Sequence, residues 1–203
     1  SDLKKNYSVG YQFNTPEGRT FSVFDLSKPK ISTELKGVQE NYLQRVQREY
    51  ASKLNLSPKE IVEFMDESRD LSKRTKLYVA SHGNPQDVDN IRGGIALVDS
   101  SNPTDLLPLE MATGIRVPRY NGRVVEIGRL INVDESDRKL AKEIFNVSLK
   151  TELKTTNYTR CYAITSTRHL AYYRRYFNFN ETAHSNGRDW ILDGDCKKLF
   201  KRP

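Results

Sequence analysis

Arg123-Val124-Val125-Glu126-Ile127-Gly128-Arg129-Leu130-Ile131-Asn132-Val133 is the stretch on which the fold turns. Val124, Val125, Ile127, Leu130, Ile131 and Val133 make it a strand buried on both faces, as in the middle of a covered sheet. One carboxylate, Glu126, and one guanidinium, Arg129, are set into that apolar run. A buried charge is costly unless it is paired or put to use. Gly128 lies between the two, and glycine inside a strand often marks a bulge or a close backbone approach. Residues three apart on a regular strand face opposite ways, so one extra residue would bring Glu126 and Arg129 toward one cleft. The residues by themselves fit a structural ion pair at a strand kink as well as they fit a functional site.

Working outward, Asp134 is a good N-cap, with Glu135 and Asp137 in the first turn of a helix running to about 153. Upstream, 106–120 has no clear period, because Pro108, Gly114 and Pro118 interrupt it. A stretch of that kind inside a compact domain often shapes a site. Residues 77–80 and 91–98 read as two strands of a hairpin around a loop. Before them, Leu35, Val38, Tyr42, Val46, Tyr50 and Leu54 make one face of a helix over 32–54. Ser57-Pro58-Lys59-Glu60 is a capping box with proline at the first helical position, opening a second helix with inner face Ile61, Met65, Ser68 and Leu71. An opening hairpin is expected from 7–13 and 20–26 around a Pro/Gly-bearing turn. Downstream come a strand at 160–166, a helix capped by Ser166 or Thr167 through Leu170, Tyr173 and Phe177, and two last strands at 178–182 and 189–192. The tail at about 197–203 is basic and expected to be solvated. The order predicts an α/β (α+β) protein, one domain over 1–203 built on one mixed sheet.

Composition narrows the class without choosing a function. The net charge is +7, with 22 basic and 21 acidic residues over 1–149 but 11 basic and 5 acidic over 150–203. The last quarter therefore offers a basic surface to an anionic partner. Cys161 and Cys196 are too few for a disulfide framework, and His82, His169 and His184 lie far apart, so no metal site is expected. No apolar run reaches the roughly 18 residues of a membrane span, and no secretory signal opens the sequence, so a cytoplasmic location is expected.

Leu107-Pro108-Leu109-Glu110 ahead of the central strand, Glu126-x-x-Arg129 within it and Tyr172-Tyr173 in the later helix resemble the GNAT acyltransferases. The likeness is to the branch of acyl-homoserine-lactone (autoinducer) synthases and long-chain N-acyl amino acid synthases, over roughly 77–179. The resemblance implies a mostly antiparallel central sheet flanked by helices, with its central strand splayed from a neighbour so that a pantetheine arm can pair with exposed backbone. Leu130, Ile131, Asn132 and Val133 would then line the acyl donor, with Asp137 and Arg138 facing its phosphate. Backbone N–H groups at a splayed strand can hold a thioester oxygen as it becomes an oxyanion, and a helix N-terminus favours a phosphate. Ordinary acetyltransferases carry a glycine-rich loop after this strand, of the form Q/R-x-x-G-x-G/A. Here Ala141 and Glu143 stand where those glycines belong, and a glutamate there should repel a pyrophosphate. An acyl carrier protein, with one phosphate and an acidic surface, is therefore expected as donor ahead of acyl-CoA. The Arg/Phe/Trp signature of the homoserine-lactone synthases is not evident, which favours an N-acyl amino acid synthase within the branch.

The expected reaction is transfer of a fatty acyl group from the carrier thioester to the amine of an amino acid or related small molecule. Glu126 is the candidate base, and Arg129 could grip the acceptor's carboxylate as a bidentate partner. Tyr173 or Tyr172 is the candidate acid for the departing thiolate, although Tyr173 equally belongs to the apolar helix face. Arg168, Arg174 and Arg175 are candidates for carrier docking, or an ordinary solvated face. Two other classes stay open. Residues 168–177 interleave basic and aromatic side chains as nucleic-acid stacking surfaces do. A GNAT-like domain without catalysis could also simply bind a lipid or partner.

Overall fold

The structure, a computed structural model, describes residues 10–14, 20–25, 33–82, 84–133, 137, 139–184 and 189–199. The expected turn at 15–19, the Asp134 cap with Glu135, Arg138, the 185–187 loop and residues 200–203 lie outside them. So do the side chains of Arg168 and Tyr172. Strands β1 (Gly10–Asn14), β2 (Thr20–Asp25), β3 (Thr75–Ser81), β4 (Ile91–Ser100), β5 (Arg123–Asn132), β6 (Tyr158–Ser166), β7 (Asn180–His184) and β8 (Asp189–Asp195) form one sheet of order β1-β2-β3-β4-β5-β6-β8-β7. Helices α1 (Thr33–Leu54), α2 (Pro58–Asp70), α3 (Pro108–Thr113), α4 (Leu140–Thr155) and α5 (Thr167–Phe177) connect them. β5 and β6 run parallel, with α4 in the crossover, and the pairs β1–β2, β2–β3, β6–β8 and β7–β8 are antiparallel. This is the mixed, mostly antiparallel α/β architecture expected.

The chain divides into two compact units, Ser1–Ala96 with Arg129–Phe145 and Leu97–Gly128 with Asn146–Pro203. In the first, Val38, Tyr42 and Val46 form the α1 stripe and pack with Leu77 and Val79 of β3, Ile91 and Ala96 of β4 and Ile131 of β5. Their four-residue spacing places them on one helix face. The α2 capping box forms as expected: Glu60 N–H donates to Ser57 Oγ, and Ser57 N–H to Glu60 Oε1, each at 3.2 Å. Gly93 and Gly94 in β4 permit close approach. A Cβ at Gly93 would lie 2.6 Å from the Ile131 carbonyl oxygen, and one at Gly94 would lie 2.4 Å from Tyr42 Cε2.

In the second unit Leu107, Leu109, Val117, Val124, Tyr162 and Ile191 form the core, and Tyr162 Oη donates to the Pro118 carbonyl at 2.6 Å. β6 pairs with β8 along its length, from Arg160↔Asp195 to Ser166↔Asp189, whereas the β5–β6 register ends at Glu126↔Tyr162. Within the ten-residue central strand, the residues paired with β6 are Arg123, Val124, Val125 and Glu126.

Three expectations are corrected. α4 begins at Leu140, not just after Asp134. Asn132 Nδ2 donates to the Asp137 carbonyl at 2.8 Å, and Leu140 N–H donates to the same carbonyl at 3.3 Å, so Asp137 sits in the turn that leads into the helix. Gly128 is not the kink residue, because the left-handed backbone falls on Arg129, at φ +52°. The tail is not wholly solvated: Leu199 is buried where its N–H donates to the Asp195 carbonyl at 3.0 Å, while Lys197 and Lys198 are exposed.

Candidate active site

Leu107-Pro108-Leu109-Glu110 opens α3, and its chemistry explains its order. A helix start leaves N–H groups without helical partners. Pro108, at the first helical position, has none to leave. The Leu109 N–H instead crosses to β5 and donates to Glu126 Oε1 at 2.8 Å. Glu126 is 3% exposed, so this main-chain donor fixes one carboxylate oxygen inside the protein. Burial first, then the proximity of Cys196 and Glu126, push the nearby Cys161 thiol well above the usual range.

Glu110 is a second buried carboxylate with a different setting. Its Oε1 accepts from Leu107 N–H at 2.9 Å and Arg119 Nη2 at 2.5 Å, and its Oε2 accepts from Val117 N–H at 2.9 Å and Arg119 Nη1 at 3.1 Å. Arg116 Nε lies 3.3 Å away. Burial alone would raise its pKa. The bonds from Arg119, Leu107 and Val117 outweigh that and hold the carboxyl below the usual range. Arg119 also donates to the Val117 and Asp105 carbonyls, so one ion pair ties together the segment that had no readable period.

On the first unit's share of β5, the carbonyl of Arg129 accepts a hydrogen bond from the hydroxyl of Tyr42, which is fully buried. The guanidinium, 9% exposed, lies 3.9 Å from Glu67 Oε1 of α2, whose side chain is 40% exposed. Burial pushes the Tyr42 phenol well up and that of Tyr50 to about 12, with Arg129 pulling both back. Burial also raises Glu67, again against Arg129. The result is a nearly buried cation among phenols and a half-exposed acid. A left-handed non-glycine residue costs roughly 1–2 kcal/mol, and such strain collects where function requires it. Further along, Ile131 is buried, Leu130 and Asn132 are half-buried, and Val133 N–H donates to the Arg92 carbonyl at 2.9 Å.

The structure therefore joins Glu126 to the start of α3, and Arg129 to Tyr42, Tyr50 and Glu67, each set within its own unit. On α5, Tyr173 is half-buried and meets Phe177 and Phe179 edge-on at 5.5 and 6.0 Å, while Arg174 and Arg175 are exposed in the last turn. Asp137 precedes α4 by three residues, and Glu143 lies in that helix's first turn. Sequence reasoning placed Tyr42 in the core but gave its hydroxyl no task, although a buried tyrosine needs a partner for its polar tip. It singled out neither Glu67 nor Arg119, which carry no local signal. Among the described residues no group of three or more His, Cys, Asp or Glu could hold a metal, and no helix is long and apolar enough to cross a membrane.

No protein-family model matches the chain, and no curated protein matches it. Solved structures do. FeeM, an N-acyl amino acid synthase from uncultured soil microbes, superposes with a TM-score of 0.57 at 11% identity, covering 79% of this chain and 88% of FeeM. BjaI, a CoA-dependent acyl-homoserine lactone synthase, gives 0.54 at 14% identity over 84% and 81%. An acyl-CoA N-acyltransferase from Pseudomonas aeruginosa gives 0.53 at 14% identity over 85% and 97%. At these identities the likeness is one of fold. The chain has the GNAT acyltransferase fold, and its structural neighbours include both kinds of synthase that the sequence resembled.

Proposed function

We propose that the protein is an N-acyltransferase that moves a fatty acyl group from a phosphopantetheine thioester to the amine of an amino acid or related small molecule. The observation that carries this reading is the central strand of a GNAT fold ending its β6 ladder at Glu126 and turning left-handed at Arg129. The pantetheine arm runs along Leu130, Ile131, Asn132 and Val133, using the carbonyl of Val133, whose N–H is already spent on Arg92. The phosphate is assigned in this reading to the chain at Asp137 and Arg138, which leads into α4. The acceptor nitrogen attacks the thioester carbon, so a C–N bond forms and the C–S bond breaks. Glu126 takes the amine's proton, directly or through water, and the leaving thiolate takes one from Tyr173 or Tyr172. Arg129 binds the acceptor carboxylate, its direction set by the Tyr42 bond behind it. FeeM is an N-acyl amino acid synthase, which supports an amino acid as acceptor here.

An acyl carrier protein is the donor we favour, with Arg168, Arg174 and Arg175 as its docking cations and acyl-CoA as the alternative. Support comes from Glu143 in the first turn of α4, where a pyrophosphate would meet a negative charge. Purified protein with long-chain acyl carrier protein or acyl-CoA and a panel of amines should release free thiol and yield an N-acyl product by mass spectrometry. A faster reaction with CoA thioesters than with the carrier would reverse the donor assignment, and no thiol from any donor would remove the reading.

A further inference from the structure

Glycine weakens a strand interior, so each strand glycine needs a reason. Gly93, Gly94 and Gly194 have one in their neighbours, since a Cβ would meet another atom at 2.4–2.6 Å. Gly128 has neither that reason nor a conformational one. The left-handed residue of β5 is Arg129, and among the described glycines the left-handed one is Gly114. A Cβ at Gly128 would find, among the described residues beyond its chain neighbours, one atom within 4 Å: Glu126 Oε2, at 3.8 Å. Gly128 and Glu126 lie two apart on the strand, so they share a face. The other oxygen of Glu126, Oε1, accepts from Leu109 N–H at 2.8 Å.

We propose that Gly128 is a specificity-determining residue: its missing side chain keeps room at the Glu126 carboxylate for the carbon that bears the acceptor's amine, together with that carbon's substituent. This rests on the acyltransferase reading, with Glu126 as base. The ligand class it selects is a primary amine on a substituted carbon, as in an α-amino acid, rather than an unbranched amine. Backbone conformation does not oppose a side chain at position 128, so Gly128→Ala should fold and melt within about 2 °C of the parent.

The test is steady-state kinetics of the parent, Gly128→Ala and Gly128→Val with one acyl donor, comparing glycine with the best α-substituted amine of the panel. One added methyl in such a space should shift kcat/KM toward glycine by about tenfold in the alanine variant. The shift should be larger in the valine variant, with the donor KM unchanged in both. An active parent whose selectivity is untouched by Gly128→Ala, or whose rates fall equally for all acceptors, overturns this proposal alone. So does a parent that acylates only unbranched amines. A parent that acylates nothing overturns the acyltransferase reading and this proposal with it.

Discussion

Glu110 and Glu126 are buried carboxylates that border the same short helix, 2% and 3% exposed. Glu110 accepts two bonds from Arg119 and two from main-chain N–H groups, with Arg116 alongside. Glu126 accepts from the Leu109 N–H, a main-chain donor, at 2.8 Å. A carboxylate ringed by guanidinium and N–H donors, as Glu110 is, organises a loop. Glu126 instead has its Oε2 3.8 Å from where a Cβ at Gly128 would stand, and in our proposal it takes the amine's proton. Arg129 differs from both: its backbone is left-handed, its carbonyl accepts from a buried tyrosine, and a half-exposed acid lies 3.9 Å from its guanidinium.

The largest expected effect separates the two acids. Glu110→Gln breaks a buried ion pair and should cost about 3–5 kcal/mol in urea unfolding. Glu126→Gln keeps an oxygen for Leu109 N–H and should cost less than Glu110→Gln. Equal losses would erase the contrast. The same ion pair should show in acid. The pKa of Glu110 is depressed from 4.5. Its contribution is therefore present above that value and lost as pH falls through the folded-state value. Unfolding free energy measured from pH 7 to pH 3 should fall less steeply in Glu110→Gln than in the parent.

Next in size is Arg129→Gly, which removes the guanidinium and relieves the left-handed backbone. Its stability should stay within about 1 kcal/mol of the parent. The KM for a carboxylate-bearing acceptor should rise about 10–100-fold, the worth of a charge-assisted hydrogen bond. An amine lacking the carboxylate should show no such rise, and an equal rise for both would strip Arg129 of that role. The smallest effect belongs to Tyr42→Phe, which retains the ring in the core but loses the bond to the Arg129 carbonyl. About 1 kcal/mol of stability should go, with a rise in acceptor KM. A stability loss without the KM change would make the bond purely structural.

Much of the scaffold was legible because its causes are local. The α1 stripe and the α2 capping box are patterns of spacing, and both formed. The sequence missed what distant partners decide. No period reveals α3, although its ends carry local signals: Pro108 in the first turn, Glu110 accepting from the Leu107 N–H, and left-handed Gly114 after the last turn. Asp134 carried a sound cap signal, but α4 begins at Leu140, and the Asp137 carbonyl before it accepts from both Asn132 Nδ2 and Leu140 N–H. Gly128 drew attention as the kink, while the left-handed turn fell on its charged neighbour. Glu126 and Arg129 were visible as charges in an apolar strand. Their partners Leu109 N–H, Tyr42 and Glu67 were not, since each comes from another element.

The most direct measurement follows thiol release and N-acyl product formation by the parent and by Glu126→Gln, with long-chain acyl carrier protein and acyl-CoA as donors and a panel of amines. The parent should release thiol in step with product, and the variant, melting at the same temperature, should be slower by about 10²–10⁴-fold. A parent that cleaves no thioester, or a variant that keeps the parent's rate, would contradict the assignment of Glu126 as the base of an acyl transfer.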